Sequence, residues 1–322
     1  MDIIIDENNK GKAIRELLRR DMGYSSGMLK KLKFSPGGIL VNGEFVTVRY
    51  ILQEGDILSI ACEDTDDDTS PYITPVDLPL GIAYEDEHVT VIHKPHAMPA
   101  HPSLGHRDDT VANALAYRYS DKPYVFRPVN RLDRDTSGLM ITANTRLAAF
   151  NLYKEMIGGK IKKAYIAVLD GEIDNDRDIL EAYMGRCEDS IVKRRICSPL
   201  ENDAKKAITA YITLHKNKDH SLVLASPITG RTHQLRLHFS SIGHPITGDT
   251  MYGNEHSVLK RHALHSAYTS FSHPHNGQLI SLFSPVPEDI SDIMDNEMRS
   301  IVTNEITNYT KQLLLMIKEY EK

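Results

Sequence analysis

Apolar and polar positions in the first sixty residues predict two short helices followed by short strands. The segments AIRELLRRDMG and SSGMLKKLKFS space their apolar residues as amphipathic helices do. The stretch GGILVNGEFVTVRYILQEGDILSI then contains short apolar runs separated by two turn signals, Asn42-Gly43 and Gly55-Asp56. We therefore expect a small α/β domain at residues 1–60.

A longer, β-rich pattern with a few helices begins at residue 81 and continues to residue 285. The segment TRLAAFNLYKEMIGG is typical of a helix that Thr145 caps and that the Gly158-Gly159 pair ends. The next segment, GKIKKAYIAVLDG, is typical of a strand, and Thr232 to Ser241 predict a further helix. The expected fold is α+β, with a mixed, mostly antiparallel sheet and flanking helices.

Two acidic segments lie outside these domains. Residues 61–80, ACEDTDDDTSPYITPVDLPL, contain six acids, no base and three prolines, which is typical of a linker. Residues 286–322 place apolar side chains at helical spacing and predict an acidic helical tail. The predicted order is a small domain at 1–60, a linker at 61–80, a larger domain at 81–285 and the tail.

Composition narrows the class of protein. The 322 residues are 41% hydrophobic and 25% charged, and no run of about 18 apolar residues predicts a membrane span. The acidic start, MDIIIDENNK, and three cysteines without metal spacing favour a cytoplasmic protein with reduced thiols. The net charge of −6 comes from the linker and the tail, while both predicted domains are mildly basic. All fifteen histidines fall in residues 81–284, and some of them could add charge near RNA.

A dense charge pattern lies in VNRLDRDTSGLMITA, residues 129–143. Arg131 and Arg134 alternate with Asp133 and Asp135, just before a polar turn and an apolar run. A carboxylate beside an arginine stays ionised and, if fixed, is a plausible nucleophile. The alternative is an exposed Arg/Asp ladder of little energetic value. This stretch alone leaves both interpretations open.

Three further segments contain residues that could take part in chemistry. Tyr165 lies in the predicted strand among small and apolar residues, where a tyrosine usually packs. Arg231 precedes a predicted helix, where the helix dipole disfavours a cation, so we expect a carboxylate or phosphate partner for it. The loop IHKPHAMPAHPS is rich in histidine but lacks helix-face spacing and nearby carboxylates, so no metal site is expected.

The order of these motifs resembles the RluA-type family of RNA pseudouridine synthases. The resemblance spans residues 81–285, and the first domain is similar to the small ribosomal-protein-type RNA-binding domain that often precedes this catalytic domain. The motifs that support the resemblance are YEDEHVTVIHKPHAMPAHPS, NRLDRDTSGL, KKAYIAVLDG, TGRTHQLRLHFSSIGHPITGD and RHALHSAYTSFSHP.

This resemblance implies that uridine is isomerised to pseudouridine: the N-glycosidic bond breaks, the uracil turns and C5 joins the ribose. It implies that Asp133 is the catalytic aspartate, that Arg231 in GRTHQLR pairs with it, and that Tyr165 lines the uracil pocket and helps to remove the C5 proton. No metal, nucleotide or other cofactor is implied.

The same resemblance implies contacts with RNA. The target uridine must leave its stack, and Arg131 is the residue expected to fill the vacated space. Asn130 stands where many relatives have histidine, so it can contact the substrate but cannot titrate. Lys30, Lys31 and Lys33 share one predicted helix and could contact phosphates, with a solvated basic face as the alternative.

The expected partner is structured RNA, with ribosomal RNA preferred over transfer RNA. The protein is expected to be a monomer and to have no membrane partner. Two other functions stay open. One is an RNA-binding ribosome-assembly factor without catalysis. The other is a hydrolase that uses Asp133 on a glycosidic bond, for which only Asp135 offers a second local carboxylate.

Overall fold

The described part of the chain forms two β-sheets, one of four strands and one of ten. The structure is a computed structural model and describes residues 2–22, 24, 26–34, 37–61, 69–70 and 72–322. Each sheet has its own cluster of buried apolar side chains. The larger sheet is mixed but mostly antiparallel, which confirms the predicted α+β class.

The small sheet and its helices belong to the first sixty residues. The strands β1 to β4 lie in the order β1-β4-β2-β3 and pair antiparallel. The turn between β2 and β3 is Asn42-Gly43, both with positive φ, as the sequence predicts. The elements are β1 (Asp2–Ile4), α1 (Ile14–Glu16), a π-helical segment (Leu17–Asp21), α2 (Ser26–Phe34), β2 (Ile39–Val41), β3 (Glu44–Phe45) and β4 (Ile57–Ile60).

The large sheet runs β10-β9-β11-β12-β8-β13-β7-β6-β5, with β14 paired to β13. The β7–β13 pair is parallel, and the other neighbouring strands of this sheet pair antiparallel. Its strands are β5 (Gly81–Glu85), β6 (Val89–Lys94), β7 (Ser137–Ala143), β8 (Lys162–Asp170), β9 (Arg177–Cys187), β10 (Ser190–Ile196), β11 (Lys205–Lys216), β12 (His220–Pro227), β13 (Leu264–Ser272) and β14 (Leu279–Phe283).

Helices flank this sheet, and local residues explain where α4 and α5 begin. Thr145 accepts a hydrogen bond from the Ala148 amide and caps α4, as the sequence predicts. The predicted helix at 232–241 begins two residues later, at Gln234, because His233 has a left-handed backbone. The helices are α3 (Val111–Arg118), α4 (Arg146–Ile157), α5 (Gln234–Ser241), α6 (Glu288–Ser291), α7 (Asn296–Asn304) and α8 (Ile306–Tyr320).

The acidic tail packs on the large sheet. Helices α7 and α8 lie against β11, and apolar residues of all three tail helices join the main core. This agrees with the amphipathic pattern of the tail, while the domain boundaries at 60, 80 and 285 stay predictions. Much of the predicted linker, residues 62–68 with Cys62, lies outside the described residues, and Cys187 and Cys197 are free thiols.

Candidate active site

Asp133 lies in the loop that enters β7, next to the junction of β7 with β13. Its backbone carbonyl accepts a hydrogen bond from the Thr136 amide, which closes a tight turn. The strand that follows is buried along its whole length. The Asp133 side chain is 28% exposed, so its carboxylate is partly buried but still reaches solvent just before a buried strand begins.

The charged partner of Asp133 comes from another part of the chain. Arg236 on α5 places its Nη1 3.3 Å from Asp133 Oδ2, and His233 Nε2 lies 3.8 Å from the same oxygen. Arg134 instead pairs with its neighbour Asp135, at 2.9 Å. The two aspartates of the charged stretch therefore differ: Asp135 forms the local pair, and Asp133 faces a guanidinium that is 8% exposed.

Arg236 is fixed by a second carboxylate. Asp249, whose side chain is fully buried, accepts two hydrogen bonds from Arg236, at 2.6 and 2.7 Å. Asp249 Oδ1 also accepts from the amides of Met251 and Tyr252, and the Tyr252 ring lies 5.2 Å from the guanidinium carbon. Burial alone would raise the pKa of Asp249, but the hydrogen bonds and charge of Arg236 lower it. Arg236 is therefore held rigidly and keeps one nitrogen on Asp133.

The prediction that Arg231 pairs with Asp133 is corrected by this geometry. Arg231 is exposed, and its Nε donates to the Lys206 carbonyl at 3.0 Å. Because α5 begins at Gln234, Arg236 lies on its buried side and Arg231 stays in the preceding turn. Both arginines belong to the motif GRTHQLR, and only the position of the helix start distinguishes them.

Tyr165 lies on β8, where the sequence predicts a strand, and is 6% exposed. It is the cross-strand partner of Ser266 on β13, and its hydroxyl bonds the Ser266 side chain. Burial raises the pKa of Tyr165 to about 12, and the charge of Asp133 acts in the same direction. The hydroxyl is therefore neutral at neutral pH, and this opposes a role as a general base in the free enzyme.

Lys94 is a buried residue that the sequence analysis missed. Its ammonium donates to the carbonyls of Pro95, Met98 and Arg134, each at 2.8 Å, and the residue is 1% exposed. Burial lowers its pKa to about 7. Lys94 thus joins the histidine-rich loop to the turn after Asp133. The available signal was a lysine at the end of the strand-like run VTVIHK, which is rich in β-branched residues.

The residues expected to contact RNA differ in how exposed they are. Asn130 is 7% exposed, and its Oδ1 accepts a hydrogen bond from the Ile141 amide at 2.8 Å, so the predicted RNA contact is replaced by a structural one. Arg131 is exposed and lies two residues before Asp133. A side chain that fills the space left by a flipped uridine must be exposed in this way. On α2, Lys30 and Lys33 are exposed, and the side chain of Lys31 lies outside the described set.

Comparisons with known proteins identify the family of this chain. The RNA pseudouridylate synthase family matches residues 88–241. An uncharacterised RNA pseudouridine synthase of Bacillus subtilis, YjbO, is 37% identical over 279 residues, covering 86% of this chain and 96% of the relative. The ribosomal large subunit pseudouridine synthase D of Zymomonas mobilis is 36% identical over 231 residues, covering 67% of this chain and 72% of the relative.

A solved structure, human RNA pseudouridylate synthase domain containing 1, has a TM-score of 0.55 and 28% identity, covering 64% of this chain and 83% of that one. The chain therefore belongs to the RNA pseudouridine synthase family, in its RluA type. It is an enzyme that isomerises uridine in RNA, which sets aside the assembly factor without catalysis. Across the ranges described above, no helix has the length and apolar character needed to cross a membrane.

Proposed function

We propose that this enzyme isomerises specific uridines of ribosomal RNA and that Asp133 is its nucleophile. The observation that supports Asp133 is its contact with Arg236, which Asp249 holds in place from the other side. The guanidinium Nη1 holds Oδ2 of the carboxylate at 3.3 Å, and partial exposure gives the ribose access to the side chain. A fixed carboxylate is what attack on the ribose C1′, or stabilisation of its loss of uracil, requires.

Tyr165 is proposed to pack against the uracil while the base turns. Its ring is buried beside the Asp133 loop, and its hydroxyl remains protonated because burial raises its pKa to about 12. A neutral phenol can stack on the base and donate a hydrogen bond. We therefore expect Tyr165→Phe to retain more activity than Tyr165→Ala, since phenylalanine keeps the ring.

Arg131 is proposed to occupy the space left by the flipped uridine. It is exposed and lies two residues before Asp133, so its side chain starts next to the attacking carboxylate. Extruding a paired or stacked base costs a few kcal/mol, which a residue filling the gap would partly offset. Arg131→Ala should therefore weaken turnover most on folded RNA and least on a short single-stranded substrate.

Ribosomal RNA is favoured as the substrate by the names of several relatives. The pseudouridine synthases D of Zymomonas mobilis and Xanthomonas campestris, at 36% and 32% identity, are named for the large ribosomal subunit. Transfer RNA is the alternative. Which uridine is modified depends on surfaces that these relatives need not share.

The first test maps pseudouridine in total RNA from a strain that lacks the gene, by chemical labelling and primer extension. The strain is complemented with wild type, Asp133→Asn or Asp135→Asn. We expect specific ribosomal sites to vanish and to return with wild type and Asp135→Asn but not with Asp133→Asn. Full rescue by Asp133→Asn would remove the nucleophile assignment, and a loss of pseudouridine confined to transfer RNA would change the substrate.

A basic surface on α2, formed by Lys30 and Lys33, is proposed to contact phosphates. Both lysines are exposed, while Leu29 and Leu32 of the same helix are buried in the core of the small sheet. Removing one lysine–phosphate pair lowers the slope of log affinity against log salt by about 1. The double change Lys30→Gln with Lys33→Gln should lower this slope by up to about 2.

The matched control changes two exposed lysines of α8, Lys311→Gln with Lys318→Gln, which alters the net charge equally. Filter-binding titrations at several salt concentrations measure both slopes. Equal slopes for the two double variants would show that α2 acts only through net charge.

A further inference from the structure

His233 has an unusual backbone for a residue with a side chain. Its φ is +58° and its ψ +21°, a left-handed conformation that costs a non-glycine residue of the order of 1 kcal/mol or more. The conformation places the imidazole, 7% exposed, between Tyr252 and Asp133. Such a strained conformation next to a reactive carboxylate suggests that the ring has a role there.

Hydrogen bonds around Tyr252 bear on which ring nitrogen of His233 carries the proton. The Tyr252 hydroxyl oxygen accepts a hydrogen bond from the Arg194 amide at 2.8 Å and lies 2.9 Å from His233 Nδ1. Since the amide can only donate, the hydroxyl hydrogen is available for Nδ1. Burial lowers the pKa of His233, so the ring is neutral at neutral pH, and a neutral ring that accepts this hydrogen at Nδ1 carries its own proton on Nε2.

Nε2 faces the carboxylate of Asp133. It lies 3.8 Å from Oδ2, the oxygen that Arg236 Nη1 approaches at 3.3 Å. Catalytic hydrogen bonds are often long in a free enzyme and shorten when substrate binds. Two donors, one charged and one neutral, thus converge on the same oxygen of Asp133.

We propose that His233 is a positioning residue for the isomerisation: its Nε2–H, oriented by the Tyr252 hydroxyl, holds Oδ2 of Asp133 together with Arg236 and so directs Oδ1 at the ribose. This inference rests on the proposed role of Asp133 as nucleophile. Tyr252 serves twice, since its ring lies over Arg236 and its hydroxyl fixes the tautomer of His233.

Replacing His233 by glutamine or by asparagine distinguishes this side-chain role from a role of the left-handed backbone alone. The side-chain nitrogen of glutamine reaches the place of Nε2, whereas that of asparagine reaches only the place of Nδ1. Asparagine tolerates the left-handed backbone better than glutamine. A structural role therefore predicts that His233→Asn is at least as active as His233→Gln, and our proposal predicts the opposite order.

Single-turnover kinetics with saturating enzyme on the mapped RNA site measure the chemical step apart from RNA binding. We expect His233→Asn to slow this step by about 10-fold to 100-fold, the scale of a misplaced reacting group, while the Kd for RNA stays unchanged. His233→Gln should recover most of the rate. Equal rates for the two variants, or a faster asparagine variant, would overturn the proposal.

A double-mutant cycle with Tyr252→Phe tests the tautomer directly. Phenylalanine keeps the ring over Arg236 but removes the hydroxyl. Tyr252→Phe should slow the chemical step in the wild-type background and have no added effect with His233→Gln, because an amide has no tautomer to fix. Tyr153→Phe, on the exposed side of α4, is the matched control.

The cycle still tests the proposal if the His233 variants fail to fold. Tyr252→Phe leaves His233 in place, so a folded Tyr252→Phe enzyme with an unchanged rate overturns the proposal by itself. An equal loss in both backgrounds overturns it too. The activity of Asp133→Asn distinguishes failure of this inference from failure of the proposed nucleophile. If Asp133→Asn stays active, the nucleophile assignment fails. If Asp133→Asn is inactive and His233→Gln and His233→Asn react at equal rates, only the proposed role of His233 is refuted.

Discussion

At the scale of single residues, the Asp133 loop is held by side chains that bond backbone groups. Asn130 binds the Ile141 amide, and Lys94 binds the Arg134 carbonyl. Gly138 contributes by having no side chain: with φ at +110°, a Cβ there would lie 2.3 Å from the Ser266 carbonyl oxygen. This close approach is how β7 and β13 meet in parallel beside Asp133.

Gly138→Ala should therefore destabilise the protein by more than about 3 kcal/mol, since a backbone group blocks the new methyl. Gly105→Ala is the control. Gly105 also has a positive φ, +84°, but a Cβ there meets nothing within 4 Å, so only conformational strain of about 1 kcal/mol is expected. Urea unfolding of both variants measures the difference. Similar losses would show that the close approach is unimportant.

At the scale of elements, the acidic tail supports the Asp133 loop. Arg261 is 5% exposed and donates to both oxygens of Asp289 on α6, at 2.6 and 2.9 Å. Its third nitrogen donates to the Asp135 carbonyl at 3.0 Å, two residues after Asp133. The tail thus contacts the Asp133 loop through one buried guanidinium and also covers the core.

Asp289→Ala should lower the free energy of unfolding by about 1–3 kcal/mol, because it leaves a buried guanidinium without its charged partner. It should also slow turnover without changing RNA affinity, since the Asp135 carbonyl loses a rigid donor. Asp292→Ala, an exposed acid of the same segment, is the control. Equal turnover in the two variants would show that α6 contributes to stability only and not to turnover.

At the scale of the whole molecule, three buried histidines couple stability to pH. His238, His262 and His265 each bond a threonine or serine hydroxyl, at 2.8, 2.8 and 2.9 Å. Burial lowers the pKa of each to about 4. These three are therefore neutral at neutral pH and add no charge toward RNA.

The unfolded chain binds protons at these histidines below pH 6.5, whereas the folded chain binds them only near pH 4. The stability that these three neutral histidines contribute is therefore fully present above pH 6.5 and falls as pH decreases toward 4. Each histidine contributes a slope of up to about 1.4 kcal/mol per pH unit.

Urea unfolding at pH 7, 6 and 5 measures this slope before most carboxylates protonate. His262→Gln should lower this slope by up to about 1.4 kcal/mol per pH unit, the share of one ring. A free energy of unfolding that stays constant from pH 7 to 5 would contradict the neutral, buried state of these rings.

Part of the structure could be predicted from the sequence because it depends on near neighbours. Thr145 caps α4 through an amide three residues away, and the Asn42-Gly43 turn requires only two permissive residues. The strand around Tyr165 follows from its apolar run. The ordered motifs then indicated the family and the mostly antiparallel fold that the structure and the comparisons confirm.

Tertiary structure alone decided which arginine faces Asp133. Arg231 and Arg236 share one motif, and their roles depend on where α5 begins and which side it buries. Lys94 and Asp249 were missed for a related reason: the contact of Lys94 with the Asp133 loop joins residues 40 positions apart, and the partner of Asp249 lies 13 residues away. A sequence pattern records the type of a charged residue, whereas its partner is set by packing between distant segments.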